Sequence, residues 1–360
     1  MSRDPFLKLV ESETILNGRF TNLKRINPHG GNGVFSMIFT GLDVTTGKTV
    51  ALKFYDPHHN TDVERFKRFE REASMLLKLK DEPYVIDYVD GINTLIKDLV
   101  DPASGLHVPF ELRFFAMELA DDSVEEFIYS MNSEPLTSLY CFKEMIKGVF
   151  RIHRRQICHR DLKPGNFLIS GERVCLSDLG TAKCMDPSVP SISVSYNFPV
   201  GDTRYISPEV RVLIGIGDEY VFFSDIFSMG AILFEMFTKT VLTTEIYTND
   251  FITKMTYIYA ILSRLPPQKR VETFKILIRD VAKSSPLPDI YSYNDYVPKC
   301  IKNQLNLLYK GLASLDFEKR IMNPTSIHRQ LDICILTIRN ERKYPDWRNR
   351  KGRPILIRNN

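Results

Sequence analysis

Apolar and polar positions change rhythm near residue 120. Before it, apolar residues fall into short runs rich in β-branched and aromatic side chains, at 20–26, 37–44 and 49–55, separated by turns containing Gly or Asp. One helical period interrupts them. Thr61-x-x-Glu64 has the form of a capping box, and Phe66, Phe69, Ala73, Leu76, Leu77 and Leu79 then recur at helical spacing. Two further strands are predicted at 84–90 and 110–119. The stretch between them, 94–109, contains Asp101-Pro102 and Ser104-Gly105 and reads as an extended hairpin or a loop. After Ala120 helical patterns dominate, at 124–131, 139–155, 223–237, 305–315 and 327–339, the last with Asn323-Pro324-Thr325 as its start signal. The expected architecture is α+β, with a small β-rich half joined near 119–122 to a larger helical half. Clefts at such junctions favour ligands.

Composition adds bounds. With 43% hydrophobic and 26% charged residues, a chain of 360 residues can bury a full core, as one large domain or as two lobes sharing a cleft. A net charge of +4 is too small to argue for nucleic acid. The charge is concentrated at the C-terminus: eight Lys or Arg lie in 339–360 against Glu341 and Asp346, and Trp347 sits among them. That tail reads as a solvated end or as an anchor for a regulatory partner. The six cysteines contain no C-x-x-C pair, which argues against a disulfide framework or zinc site and for a reducing, cytoplasmic setting. Residues 1–10 lack an apolar core of the signal-peptide kind. The apolar stretches 226–237 and 257–265 fall short of the ~20 residues a membrane span needs.

Candidate chemistry begins at Gly31-Asn32-Gly33, between two predicted strands. Two glycines there let the backbone approach a polyphosphate without a Cβ intervening, although a plain hairpin turn uses the same residues. A dinucleotide fingerprint is excluded because a strand follows, not a helix. Val50-Ala51-Leu52-Lys53 ends the next strand, and a lone lysine there would ordinarily snorkel to water. Glu72, however, lies amid Phe69, Ala73 and Leu76, where an unpaired carboxylate is costly. A Lys53–Glu72 ion pair would satisfy both and direct the ammonium at phosphate groups.

The densest signal is Ile157-Cys158-His159-Arg160-Asp161-Leu162-Lys163-Pro164-Gly165-Asn166, polar groups framed by apolar runs, followed by Val174-Cys175-Leu176-Ser177-Asp178-Leu179-Gly180. One carboxylate can take a hydroxyl proton while the other, with an amide, holds a hard cation through oxygen. Phosphoryl transfer demands this positioning and charge stabilisation.

In this order, H-R-D-L-K-x-x-N, D-L-G, A-x-K, the helix Glu and Ser207-Pro208-Glu209 resemble the signature set of the eukaryotic-like serine/threonine protein kinases, over roughly 20–336. The resemblance implies a bilobal kinase fold, with an extension at 1–19, an N-lobe at 20–120, a C-lobe at 121–338 and the basic tail at 339–360. It implies Asp161, Lys163, Lys53 and Glu72 as catalytic residues, and Asn166 with Asp178 as ligands of magnesium, manganese being the alternative. ATP would lie under Gly31 and Gly33, against Ser36, Ile38, Ala51, Lys53, Leu168, the gatekeeper Met117 and the hinge residues Glu118 and Ala120. Asp225, Glu209 and Arg320 would be architectural, as would the packed His159.

Arg160 places a fixed positive charge beside Asp161; the resemblance implies that this charge is balanced by phosphate on the activation segment, 178–209, which offers Ser188, Ser191, Ser193, Ser195, Tyr196 and Thr203. The expected substrates are proteins with Ser or Thr acceptors. Asp121, Asp122, Glu125 and Glu126 at the cleft mouth suggest basic ones. Three departures stand out. Leu179 replaces the usual Phe, Ser36 replaces the third loop glycine, and Gly201-Asp202-Thr203 delays by one residue the Thr that normally follows that Gly, so Thr203 is expected to shift into its role. Two rival readings remain: a nucleotide-binding scaffold, opposed by the presence of Lys53, Asp161, Asn166 and Asp178, and a small-molecule kinase, opposed by Lys163 and the large-lobe set.

Overall fold

A computed structural model describes residues 4–26, 36–56, 62–100, 107–130, 133–186, 199–212, 220–293 and 296–343. The N-terminal half comprises α1 (Asp4–Glu11), β1 (Ile15–Leu16), β2 (Phe20–Arg25), β3 (Ser36–Asp43), β4 (Thr49–Tyr55), α2 (Val63–Lys78), β5 (Tyr88–Val100) and β6 (His107–Glu118). Its six strands form one antiparallel sheet in the order β1-β2-β3-β4-β6-β5.

Strand β4 is buried on both faces, which is why it reads as an unbroken apolar run. Alternation sends Val50, Leu52 and Phe54 to one side, where they meet Phe114, Leu112 and the α1 residues Leu7 and Val10. Ala51 and Tyr55 face the other side, with Phe115, Met117 and the α2 residues Phe69, Ala73 and Leu76. Lys53 shares that second face, so the pleat itself aims it at α2.

The start of α2 lies one residue beyond the expected capping box. Asp62 is the N-cap, its Oδ1 accepting from Arg65 N at 3.1 Å. Between 94 and 109 the hairpin alternative holds, with Val100 paired to His107.

The C-terminal half follows as β7 (Asp122–Ser123), α3 (Val124–Tyr129), α4 (Pro135–Arg154), β8 (Ile157–Cys158), β9 (Phe167–Ser170), β10 (Arg173–Leu176), β11 (Lys183–Cys184), α5 (Pro208–Val212), α6 (Val221–Thr238), α7 (Leu242–Ile246), α8 (Asn249–Ser263), α9 (Pro267–Ser284), α10 (Lys302–Leu312) and α11 (Pro324–Lys343). Helix α6 is the axle of this half, buried from 224 to 238, and Gly230 lets the end of α10 approach: a Cβ there would sit 2.5 Å from Ala313 N. Among the described residues α6 alone is long and apolar enough to cross a membrane, at a mean hydropathy of 1.5, longer than the 226–237 stretch taken from the sequence. It is 83% buried inside the fold and packs as a core helix. Helices α8 and α9, which the sequence reading leaves without an assignment, pair through Phe251, Met255, Ile258 and Leu262 against Phe274, Ile278 and Val281.

Candidate active site

On the N-lobe wall, Lys53 Nζ donates to both Glu72 oxygens at 2.7 Å and lies 3.5 Å from Asp178 Oδ1. Glu72 is only 3% exposed. Burial alone would lower the Lys53 ammonium, but Asp178 and Glu72 outweigh it and raise it. The lysine therefore stays charged at any working pH. Glu72 moves upward because burial outweighs the pull of Lys53. Helix α2 is tied down a second time by Arg71, whose Nη1 donates to Gly180 O at 2.7 Å. That bond joins α2 to the turn holding Asp178. Gly180 packs against Arg68 of the same helix, where a Cβ would come 3.1 Å from its carbonyl oxygen.

Asp178 itself has φ 55° and ψ 58°, a left-handed backbone that a non-glycine residue adopts only when its surroundings enforce it. Its side chain is 45% exposed to the cleft. The ammonium of Lys53, more than any other group, holds its carboxyl below the ordinary range.

The opposite wall is the loop between β8 and β9. Asp161 Oδ2 accepts from Lys163 Nζ at 3.1 Å and from Asn166 Nδ2 at 3.3 Å, and Asp202 N donates to Oδ1 at 2.7 Å. Burial, then the charge of Asp178, raises Asp161 above the usual carboxylate range against the pull of Lys163. Asn166 Nδ2 also donates to Asp161 O at 2.8 Å, which leaves the amide oxygen as the atom free to serve a ligand.

Beneath this loop Asp225 of α6 accepts from His159 N (2.8 Å), Arg160 N (2.9 Å) and His153 Nε2 (2.9 Å). The contact holds Arg160 at φ 69°. His159 is fully buried with Nε2 2.9 Å from Ser177 O, a packed side chain as expected. Glu209 and Arg320 form a buried bidentate pair, Nη2 to Oε2 at 2.9 Å and Nη1 to Oε1.

Where the resemblance expects adenine, Ala51 pairs with Met117 across β4 and β6, and Ile38 pairs with Lys53 across β3 and β4. Leu168 lies on β9, paired with Cys175 and Ser123. The Glu118 side chain is occupied: it accepts from Ser170 Oγ (2.5 Å) and Arg173 Nη2 (2.6 Å), fastening β6 to the β9–β10 hairpin. Ala120 is half-buried at the end of that junction. Ser36 opens β3; Gly31, Gly33, Ser188, Ser191, Ser193, Ser195, Tyr196 and the tail from 344 lie outside the described residues.

Thr203 does not shift into the expected role. It is exposed, and its carbonyl accepts from Arg211 Nη2. The contact to Asp161 comes from the main chain of Asp202, a donor that no side-chain pattern announces.

No group of three or more His, Cys, Asp or Glu forms a metal cage among the described residues. The donors at hand, one carboxylate and one amide oxygen, suit a hard divalent ion whose remaining positions are filled by phosphate oxygens and water.

Residues 25–329 match the protein kinase domain family. The chain belongs to that family. Relatives include serine/threonine-protein kinase pkn2 of Myxococcus xanthus, 27% identical over 63% of this chain and 25% of the relative. Probable serine/threonine-protein kinase PknB of Bifidobacterium longum is 31% identical over 58% of this chain and 29% of its own length. For PknL of Mycobacterium tuberculosis the figures are 30%, 66% and 52%. The chain thus spans between a quarter and about half of these relatives' lengths. As a protein kinase domain it carries the family's use of ATP with a divalent cation. Both tethers of α2, Glu72 and Arg71, are engaged in this kinase domain; only the first was anticipated, and Arg71, with Lys67, Arg68 and Ser74 as its helical neighbours, carries no sequence signal that singles it out.

Proposed function

We propose that the protein transfers the γ-phosphate of ATP to serine and threonine hydroxyls of protein substrates. One observation carries this reading: the Asp161 carboxylate, flanked by Lys163 and Asn166, faces the Lys53–Glu72–Asp178 cluster across one cleft. Asp161 accepts the hydroxyl proton as the new O–P bond forms and the bond to the departing ADP oxygen breaks. Lys163 stabilises charge on the transferred group, and Lys53 holds the α- and β-phosphates. Asn166 and Asp178 would hold magnesium, which neutralises phosphate charge when bound. The test is transfer of labelled phosphate from ATP and Mg²⁺ to a mixed protein substrate, with Asp161→Asn alongside. Label on Ser or Thr that disappears in the variant supports the reading. Tight ATP binding without transfer would favour the scaffold instead.

Five finer readings rest on narrower support. Magnesium is the expected ion, and manganese fits the same oxygen donors; faster turnover with Mn²⁺ would reverse the order. Asp121, Asp122 and Glu126 are exposed at the cleft mouth, which supports basic substrates. A peptide array without Lys or Arg preference would remove that idea. Autophosphorylation of the activation segment, and regulation through the basic tail, rest on composition; phosphosite mapping after ATP treatment and truncation at residue 343 test them. Six free cysteines support a reducing cytoplasm, testable by cell fractionation.

A further inference from the structure

Residues 201–205, near the C-terminal end of the activation segment, are pinned at both ends. Upstream, Gly201 at φ 103° lies so close to the catalytic loop that a Cβ would meet Arg160 O at 2.5 Å. Downstream, Arg204 O accepts from Thr243 Oγ1 (3.0 Å), Tyr205 O from Ser228 Oγ (2.9 Å), and the Tyr205 hydroxyl donates to the buried Glu235 (2.6 Å). Between these anchors Asp202 folds back on Arg204. Its Oδ1 accepts from Arg204 N at 2.9 Å and Nε at 3.1 Å, and its Oδ2 accepts from Nη2 at 2.8 Å. The side chain is thereby turned toward Arg204 while its amide points at Asp161 Oδ1, 2.7 Å away.

We propose that Asp202 and Arg204 form a clasp that positions the catalytic carboxylate through the Asp202 main-chain N–H, supplying the contact for which a threonine hydroxyl was expected. Both are positioning residues: the Asp202 carboxylate bonds to Arg204, and its charge also acts on Lys163. Backbone donors oriented in advance act without reorganisation at the moment of transfer. A clasp closed by four hydrogen bonds, three from the Arg204 guanidinium and one from its main-chain N–H, fixes that orientation more tightly than a free side-chain rotor does. This deepens the kinase reading and rests on it for its kinetic arm.

The experiment is a double-mutant cycle of Asp202→Ala and Arg204→Ala, with Asp202→Asn as the conservative variant, read by kcat and KM for ATP. Each single alanine variant should lower kcat about 10- to 100-fold, the range of one charge-assisted hydrogen bond, with KM for ATP nearly unchanged. The double variant should be no slower than the slower single, because both act through one contact. Asp202→Asn keeps an oxygen for the Arg204 donors and should recover part of the rate. Multiplying effects, or an Arg204→Ala enzyme with wild-type kcat, would overturn the clasp. A second readout does not depend on turnover: hydrogen exchange at the residue 202 amide should be slow in the wild type and at least about 10-fold faster in Arg204→Ala. An amide equally protected in both would also overturn it. If the wild type transfers no phosphate, the proposed function fails, and the exchange experiment still decides the clasp.

Discussion

Replacing Glu72 with Gln tests whether the ion pair on the N-lobe wall acts through Lys53. Gln keeps the shape and one acceptor but removes the charge. The two 2.7 Å contacts from Lys53 Nζ then lose their ionic component in a site almost closed to water. Removing one partner of a fully buried pair costs about 3–5 kcal/mol when the other charge is stranded. Lys53 is not stranded, because Asp178 Oδ1 stands 3.5 Å away and can take it. The expected loss is therefore smaller, about 2–3 kcal/mol, in the range of hydrogen bonds to charged groups. At ~1.36 kcal/mol per decade this lowers kcat/KM for ATP about 30- to 150-fold. Steady-state kinetics measures it, and calorimetry with ATP shows how much lies in binding. Asp178 drawn toward Lys53 is also less available to a metal ion, so kcat should fall more than KM rises. In a Lys53→Met background, Glu72→Gln should add nothing. A Glu72→Gln enzyme within about threefold of wild-type kcat/KM would refute the account, since the pair would then be only a packing device.

Asp161→Asn should abolish transfer and retain ATP binding, which the transfer assay and calorimetry report. Burial raises the folded-state pKa of Asp161, so its stabilising contribution exists below the ordinary carboxylate value and is lost as pH rises through the folded one. The same raised value places the acid limb of the pH–rate profile above the ordinary carboxylate range, which a profile flat down to pH 4 would exclude. Gly201→Ala should lose activity and stability together, because its Cβ meets Arg160 O and Ile206 Cγ2 at a positive φ; assay and melting curve report both. Arg320→Met strands Glu209 in the large lobe and should cost about 3–5 kcal/mol in urea unfolding, with Arg320→Met/Glu209→Leu recovering most of it.

Much of this fold can be read from the chain because local and tertiary demands agree. Strand β4 is legible as an apolar run, and Glu72 betrays its partner because a carboxylate amid Phe69, Ala73 and Leu76 needs one. Asp225, Glu209 and Arg320 are different. Nothing in their spacing announces that residues 66 or 111 positions apart will meet, and only the family resemblance pointed to them. Helix α8 carries a regular apolar stripe at 251, 255, 258 and 262, yet Ile252, Tyr257 and Tyr259 are also exposed on it and blur the period. Helix α1, at eight residues, is too short to establish a period, and its helical state depends on burying Leu7 and Val10 on the sheet. At α2 two good caps, Thr61 and Asp62, stand side by side, and pattern alone does not choose between them.

The misassigned Thr203 shows where side-chain logic stops. A motif search looks for a hydroxyl because a hydroxyl is visible in the sequence, whereas the bond to Asp161 comes from an amide that every residue but proline carries. What the sequence does contain is the means of aiming that amide: Gly201 admits the left-handed turn against Arg160, and Asp202 with Arg204 closes the loop behind it. At the position of the family's threonine, Asp202 and Arg204 are thus to be read together, as the proposed clasp. A carboxylate placed beside Asp161 without Arg204 would repel it across the transfer site. With Arg204 bound, its charge is balanced and its main chain serves. At this one departure the charge that Asp202 introduces is balanced two residues away, by Arg204.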